Sequence, residues 1–172
     1  MSESTALPEV VPLDRARPRD VELLLDAAFG IDRHGRTAYR LREGVQPIPH
    51  LSFAMFGDDG RLLGSLQSWP IALTEADGHR TPLVLVGPVA VAPDCQRGGL
   101  GRVMMERMLA AAEASGADPL VLVGDPEYYQ RFFGFTTEAT AGWGLPGPFE
   151  HRRLLARTGG RPLPAKGMLG PR

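Results

Sequence analysis

The sequence holds one cysteine, Cys95. An intrachain disulfide is thereby excluded, and a reducing, cytoplasmic setting is expected, because secreted proteins tend to use cysteines in pairs. A surplus of positive charge is also missing: 19 Lys and Arg stand against 20 Asp and Glu, a net charge of -1. Nucleic acid is therefore not an expected partner. No uninterrupted apolar stretch approaches the ~20 residues that cross a bilayer. The longest, residues 83–92, carries Gly87 and Pro88 in its middle, so no membrane span is expected. Residues 1–30 lack a basic segment followed by an apolar core and a small-residue cleavage site, and no export signal is read from them. Internal repeats and blocks of like charge are absent.

What is present is ordinary globular material, 43% hydrophobic and 23% charged. A chain of 172 residues fits one domain, 1–172, large enough to bury about two thirds of its unfolded surface. The Gly/Pro-rich stretch GGRPLPAKGMLGPR packs poorly, and residues 157–172 are expected to form a loose tail.

The apolar spacing predicts a first strand over 9–13 and a helix over 18–29, with Val21, Leu24, Leu25 and Ala28 on one face and Gly30 as its stop. Residues 32–43, DRHGRTAYRLRE, hold four arginines and read as a basic helix or turn. Runs at 51–56 and 61–69 flank GDDG, the chemistry of a hairpin turn. Residues 73–82 read as a polar loop. The following PLVLVGPVAVAP is a continuous apolar run, as in a strand covered on both faces. A long helix over 101–115, a buried strand over 120–123, an aromatic helix over 127–133 and late strands at 135–138 and 152–156 complete the pattern. The strand and helix between 83 and 123 make a β-α-β unit, whose right-handed crossover sets its two strands parallel in a mixed sheet. The class is α/β or α+β.

The chemistry concentrates between strand and long helix, at Gln96-Arg97-Gly98-Gly99-Leu100-Gly101. Three glycines allow close backbone approach. The first N–H groups of the helix lack intrahelical partners, and its dipole favours an anion such as a pyrophosphate; Arg97 and Arg102 add full charges. A Walker loop needs GxxxxGK[ST], which is absent, and a dinucleotide fingerprint from Gly99 needs Gly or Ala where Met104 stands. Taken alone, the glycines are equally explained by tight strand–helix packing.

VGPVAVAPDCQRGGLGRVMMERML, however, resembles the acetyl-CoA motif of the GNAT superfamily of N-acetyltransferases, Q/R-x-x-G-x-G/A after a central strand, with Gln96, Gly99 and Gly101 in its fixed places. LVLVGDPEYYQRFFGF is similar to the strand, tyrosine-bearing helix and Gly-Phe that follow it. RTAYRLREG and the hairpin ending in SLQSWP resemble a bacterial GNAT subgroup with a GDPxYYxRFGF element. The resemblance implies a GNAT-like fold: a twisted, mostly antiparallel sheet with one splayed parallel strand pair, flanked by about four helices.

It implies as well that the backbone of Val89, Ala90 and Val91 pairs with the pantetheine arm of acetyl-CoA, and that Gln96, Arg97, Gly98, Gly99, Leu100, Gly101 and Arg102 hold the pyrophosphate. Acetyl then passes directly to an amine in a ternary complex, with no enzyme nucleophile and no metal; Cys95 is a bystander. Tyr129 is the candidate hydrogen-bond donor or acid for the departing thiolate. QRFFGF carries an additional phenylalanine, which puts Gln130 four residues before the glycine and leaves Tyr128 as a rival. Both tyrosines are also read as plain aromatic core with Phe132, Phe133 and Phe135. For the base that deprotonates the amine, Glu43, His34, His50 and Asp125 are weak candidates. Arg33, Arg36, Arg40 and Arg42 are read as solvated charge, or as a grip on an acidic substrate or on the coenzyme's 3'-phosphate.

The expected partners are acetyl-CoA and a small-molecule or peptide amine, its choice set by loops 30–49, 73–82 and 142–151. A homodimer through an apolar surface at Trp143 and GLPGPF is also expected. The alternative function is a non-catalytic acyl-CoA-binding or regulatory module with the same fold.

Overall fold

The computed structural model describes residues 7–172. In chain order its elements are β1 (Val10–Pro12), α1 (Pro18–Phe29), α2 (Thr37–Arg40), β2 (Phe53–Phe56), β3 (Leu62–Thr74) and β4 (Arg80–Val91). There follow α3 (Leu100–Ser115), β5 (Leu120–Val123), α4 (Pro126–Phe133), β6 (Gly142–Gly144), β7 (Leu154–Arg157) and β8 (Lys166–Pro171).

One mixed sheet runs β1-β2-β3-β4-β5-β7. Its neighbours are antiparallel except β4 and β5, which are parallel through Val84↔Leu120 and Leu85↔Val121, as a right-handed β-α-β unit requires. A short second parallel pair, β6 with β8, lies off this path and was not expected. On one face α1, started by Pro18 and stopped by Gly30, buries Val21, Leu24 and Leu25 against Ala54, Leu62 and Ala90. On the other, α3 lays Met104, Met105, Met108 and Ala112 over Leu66, Val84 and Val86. Met104 and Met108 are 0% exposed, each worth about 2 kcal/mol of burial. Gly116, at φ 63°, ends α3 with its N–H on the Ala112 carbonyl.

Several expectations are corrected. The polar loop over 73–82 is half strand: β3 and β4 continue to Thr74↔Arg80, and 75–79 turn, closed by the Glu75 N–H on the His79 carbonyl at 2.8 Å and by Asp77 accepting from the His79 N–H. The Asp-Gly pair at 77–78 was the available signal. The tail expected to be loose carries β8. β3 outruns β2, which leaves the far half of one β3 edge open, and β8 closes it through Ile71↔Pro171 to Thr74↔Met168, with Leu169 1% exposed. The strand expected over 135–138 is a single bridge, Thr136↔Ala156. Trp143 offers no apolar surface: it is 1% exposed, and its indole N–H donates to the Pro164 carbonyl at 2.9 Å.

A bulge places the strand that matters for the site. Between Leu66↔Val89 and Ser68↔Val86, β4 spends three residues where β3 spends two. Without it, Val84 and Val86 would be followed by Ala90 on the α3 face. With it, Val89 and Val91 join that face, and Ala90 turns to α1. The bulge sits at Gly87-Pro88, where Gly87 holds φ 122°, a value suited to glycine, and its carbonyl accepts from the Trp69 indole N–H at 2.7 Å.

Candidate active site

Past Leu85 the parallel pair comes apart. β5 continues as Leu122 and Val123 against β7, while β4 continues as Val89, Ala90 and Val91 against β3 alone. The Ala92 N–H donates to the Leu63 carbonyl at 2.8 Å. By the two-residue alternation of an antiparallel ladder, the N–H and C=O groups of Val91 and Val89 face away from β3, toward the gap. A strand edge with free donors and acceptors inside the molecule is a template for an extended amide-bearing ligand.

The same strand runs through a two-turn 3-10 segment (Pro93–Gly98) into Gly99, which holds the left-handed conformation at φ 76°, ψ 15° and begins α3 with no side-chain cap. The leading N–H groups of α3 therefore stay available. A Cβ at Gly98 or Gly99 would meet nothing within 4 Å, and one at Gly101 would lie in ordinary contact with Val91 Cγ2 at 3.7 Å and Val89 Cγ1 at 3.8 Å. Tight packing thus does not explain Gly98 and Gly99. At Gly101 the start of the helix faces Val89 and Val91 of β4 with room for a methyl group but not for a large side chain. Leu100 is buried, Gln96 and Arg97 flank the loop, and Arg102 pairs with Glu106 at 3.1 Å with its guanidinium 4.9 Å from the Phe132 ring. That contact joins the loop to α4.

On α4 the two tyrosines differ. Asp125 caps the helix by accepting from the Glu127 N–H, and Gly134, at φ 73°, closes it. Tyr129 lies against Gly124, where a Cβ would fall 2.6 Å from the ring, so only glycine leaves room for it. Its ring packs on Phe133 and Phe135, which are core residues. Burial, with the neighbouring Tyr128, pushes the Tyr129 phenol up to about 12. Tyr128 is 36% exposed, stacks with Phe132, and has its phenol raised by burial as well. Both tyrosines line a cavity between β4 and β5. The additional phenylalanine, Phe132, is 40% exposed and is not core.

Between the splayed strands lies a cavity of about 1030 Å³. Val86 to Val89 and Leu122 to Asp125 form its β wall, and Tyr128 and Tyr129 one end. The opposite wall comes from Phe29, residues 33–42 and residues 145–153. Distant segments are tied together there: Thr37 Oγ1 donates to the Pro148 carbonyl at 2.6 Å and Arg40 Nη1 to the Pro146 carbonyl at 2.5 Å. Two of the three loops expected to shape the acceptor site contribute; no residue of 73–82 does.

Of the base candidates, only Asp125 lines the cavity. Hydrogen bonding with Glu127, and then the charges of Arg152 and Arg153, hold its carboxyl below the usual range, which makes it a weak base. Glu43 and His50 are exposed elsewhere, and His34 stacks on Tyr39. Glu150 and Arg153, which line the cavity, were missed; they follow a Gly/Pro-rich stretch whose path no local pattern reveals.

Comparison with known proteins identifies the family and the fold. The family model described as an acetyltransferase (GNAT) domain matches residues 12–137. The fold is that of an Escherichia coli GNAT family N-acetyltransferase, YhbS, solved in complex with CoA: TM-score 0.73, 21% identity, 100% of this chain and 94% of that one. It is also that of a Brucella melitensis GNAT family acetyltransferase solved with acetyl-CoA: TM-score 0.62, 24% identity, 95% of each chain. Among curated proteins, rice serotonin N-acetyltransferase 2, chloroplastic, is 34% identical over 74 residues, which cover 42% of this chain and 37% of that relative.

Proposed function

The chain belongs to the GNAT acetyltransferase family, and from that premise we propose that it transfers an acetyl group from acetyl-CoA to a primary amine by direct attack. The observation that carries this reading is the open edge of β4 running straight into an uncapped, left-handed glycine at the start of α3. In this reading Val89 and Val91 offer backbone partners to the pantetheine amides, Ala90 holds their register from the α1 side, and Gln96 to Arg102 enclose the pyrophosphate, with the α3 dipole and Arg97 countering its charge. The thioester then reaches the cavity beside α4, where the acceptor enters from the opposite wall.

The amine nitrogen forms a bond to the thioester carbonyl carbon, the C–S bond breaks, and the thiolate leaves. An amine of pKa about 10.4 must first lose a proton, which passes to water or to a carboxylate of the cavity. With the Tyr129 phenol at about 12 and a thiol at about 8.5, full proton transfer to the thiolate is uphill by about 5 kcal/mol. Tyr129 therefore acts as a neutral hydrogen-bond donor. The curated relative's name specifies an amine acceptor, in keeping with N-acetylation.

The test is release of free CoA thiol from acetyl-CoA on addition of a panel of primary amines, compared with a tertiary-amine control. Amine-dependent release supports the reading. Release that no amine accelerates, alongside tight coenzyme binding, replaces it with the non-catalytic acyl-CoA-binding module.

A further inference from the structure

The acceptor wall holds a guanidinium, that of Arg42, which pairs with no carboxylate among the described residues; Glu22, the nearest acid to act on it, is itself paired with Arg33. Arg33, 1% exposed, takes up both acids that α1 presents here: it pairs with Glu22 and with Asp26 at 3.0 Å, and donates to the Tyr39 hydroxyl at 2.6 Å. Nine residues on, Arg42 lines the cavity, half-buried, with its guanidinium 3.7 Å from the centre of the Tyr39 ring and 4.6 Å from that of Trp69. Among the described residues it forms no ion pair; its one hydrogen bond runs from Nη1 to Gln67 Oε1 at 3.2 Å. A guanidinium has five N–H donors in a fork that fits a carboxylate.

Two rings hold that fork in place, so little side-chain freedom remains to be lost on binding. Its orientation is tied to the reaction end of the cavity as well, since Trp69, on which it stacks, donates to the Gly87 carbonyl at the β4 bulge. Among the described residues Arg36 and Arg153 reach the same cavity without a carboxylate partner, against Asp125 and Glu150 on the acidic side. Asp125 is occupied in capping α4.

We infer that the acceptor is an amine that also carries a carboxylate, held through that carboxylate by Arg42 while the amine points to the thioester. The inference rests on the acetyltransferase reading for the position of the amine, but not for the binding of the carboxylate. A site built around a pre-oriented guanidinium gains a two-point contact between opposite charges from the acid, one neutral acceptor oxygen from its carboxamide, and none from its decarboxylated form.

The test uses the twenty common amino acids, each with its carboxamide, and phenethylamine and tryptamine as decarboxylated forms of phenylalanine and tryptophan. Binding to the CoA-loaded protein is read by calorimetry, and turnover by thiol release. The wild type is expected to favour at least one free acid over its carboxamide by roughly tenfold or more in kcat/KM and in affinity. Arg42→Met, which keeps a side chain on the two rings, is expected to abolish that preference by raising KM for the acid, with acetyl-CoA affinity unchanged. Arg42→Lys is expected to retain part of it. Equal or better use of the carboxamides or decarboxylated amines, no binding of any free acid, or an unchanged preference in Arg42→Met overturns the inference. Selective binding of a free acid, lost in Arg42→Met, without turnover would leave the carboxylate site standing and sink the acetyltransferase reading instead.

Discussion

The two sides of the cavity, proposed above to take the donor and the acceptor, are built in opposite ways. The donor side is one continuous stretch, β4 through the glycine loop into α3 and on to α4, and its geometry follows from local rules: a bulge, a left-handed glycine, a free helix N-terminus. The acceptor side is assembled from pieces far apart in sequence, pinned by bonds such as Thr37 to Pro148, 111 residues apart, and Arg40 to Pro146, 106 apart. One coenzyme can be held by a short, fixed device, while the substrate surface rests on long-range contacts free to vary between relatives. Damage to the first should abolish function outright; damage to the second should alter which amine is used.

The sharpest way to break that contrast is at Gly101. Gly101→Ala adds a Cβ at ordinary contact distance from Val91 and Val89 and is expected to fold and bind normally. Gly101→Trp fills the space beside the open β4 edge and is expected to weaken acetyl-CoA binding by ~100-fold or more, read by titration with circular dichroism as the check on folding. Next comes Tyr129→Phe, expected to lower kcat by roughly ten- to a hundredfold while acetyl-CoA affinity stays unchanged. Unchanged turnover would move the role to Tyr128, tested by Tyr128→Phe. On the acceptor side, Thr37→Val with Arg40→Met cuts both pins and is expected to raise KM for the amine about three- to tenfold with no effect on the coenzyme.

The smallest effect is spectroscopic. With the Tyr129 phenol at about 12 against about 10 in the unfolded chain, the neutral form is favoured by folding. That contribution is intact below pH 10 and is lost as the pH rises through 12. A tyrosinate absorbance titration of the native protein should show its latest component vanish in Tyr129→Phe.

The same contrast explains what could be read in advance. The glycine loop, the β-α-β unit and the tyrosine helix were legible because each is a local pattern, and the splay of β4 from β5 follows from the family resemblance. The bulge that turns Val89 and Val91 to the α3 face was not, since the run PLVLVGPVAVAP shows no alternation from which a phase change could be noticed. Nor was β8: its sequence is Gly/Pro-rich, and its strand form rests on distant partners, the uncovered edge of β3 and the short β6. The assignment of Glu22 and Asp26 to Arg33, which leaves Arg42 without an ion pair among the described residues, depends on the path of residues 30–42 over α1, and no spacing in DRHGRTAYRLRE distinguishes one arginine from another.

The most direct test of the central claim, that β4 and the loop after it form an acetyl-CoA site, is isothermal titration of the purified protein with acetyl-CoA, beside a nucleotide lacking the pantetheine arm. The account predicts one-to-one binding in the micromolar range, weaker by tenfold or more for the armless nucleotide, and absent in Gly101→Trp. No binding, or equal binding of the two ligands, would contradict it.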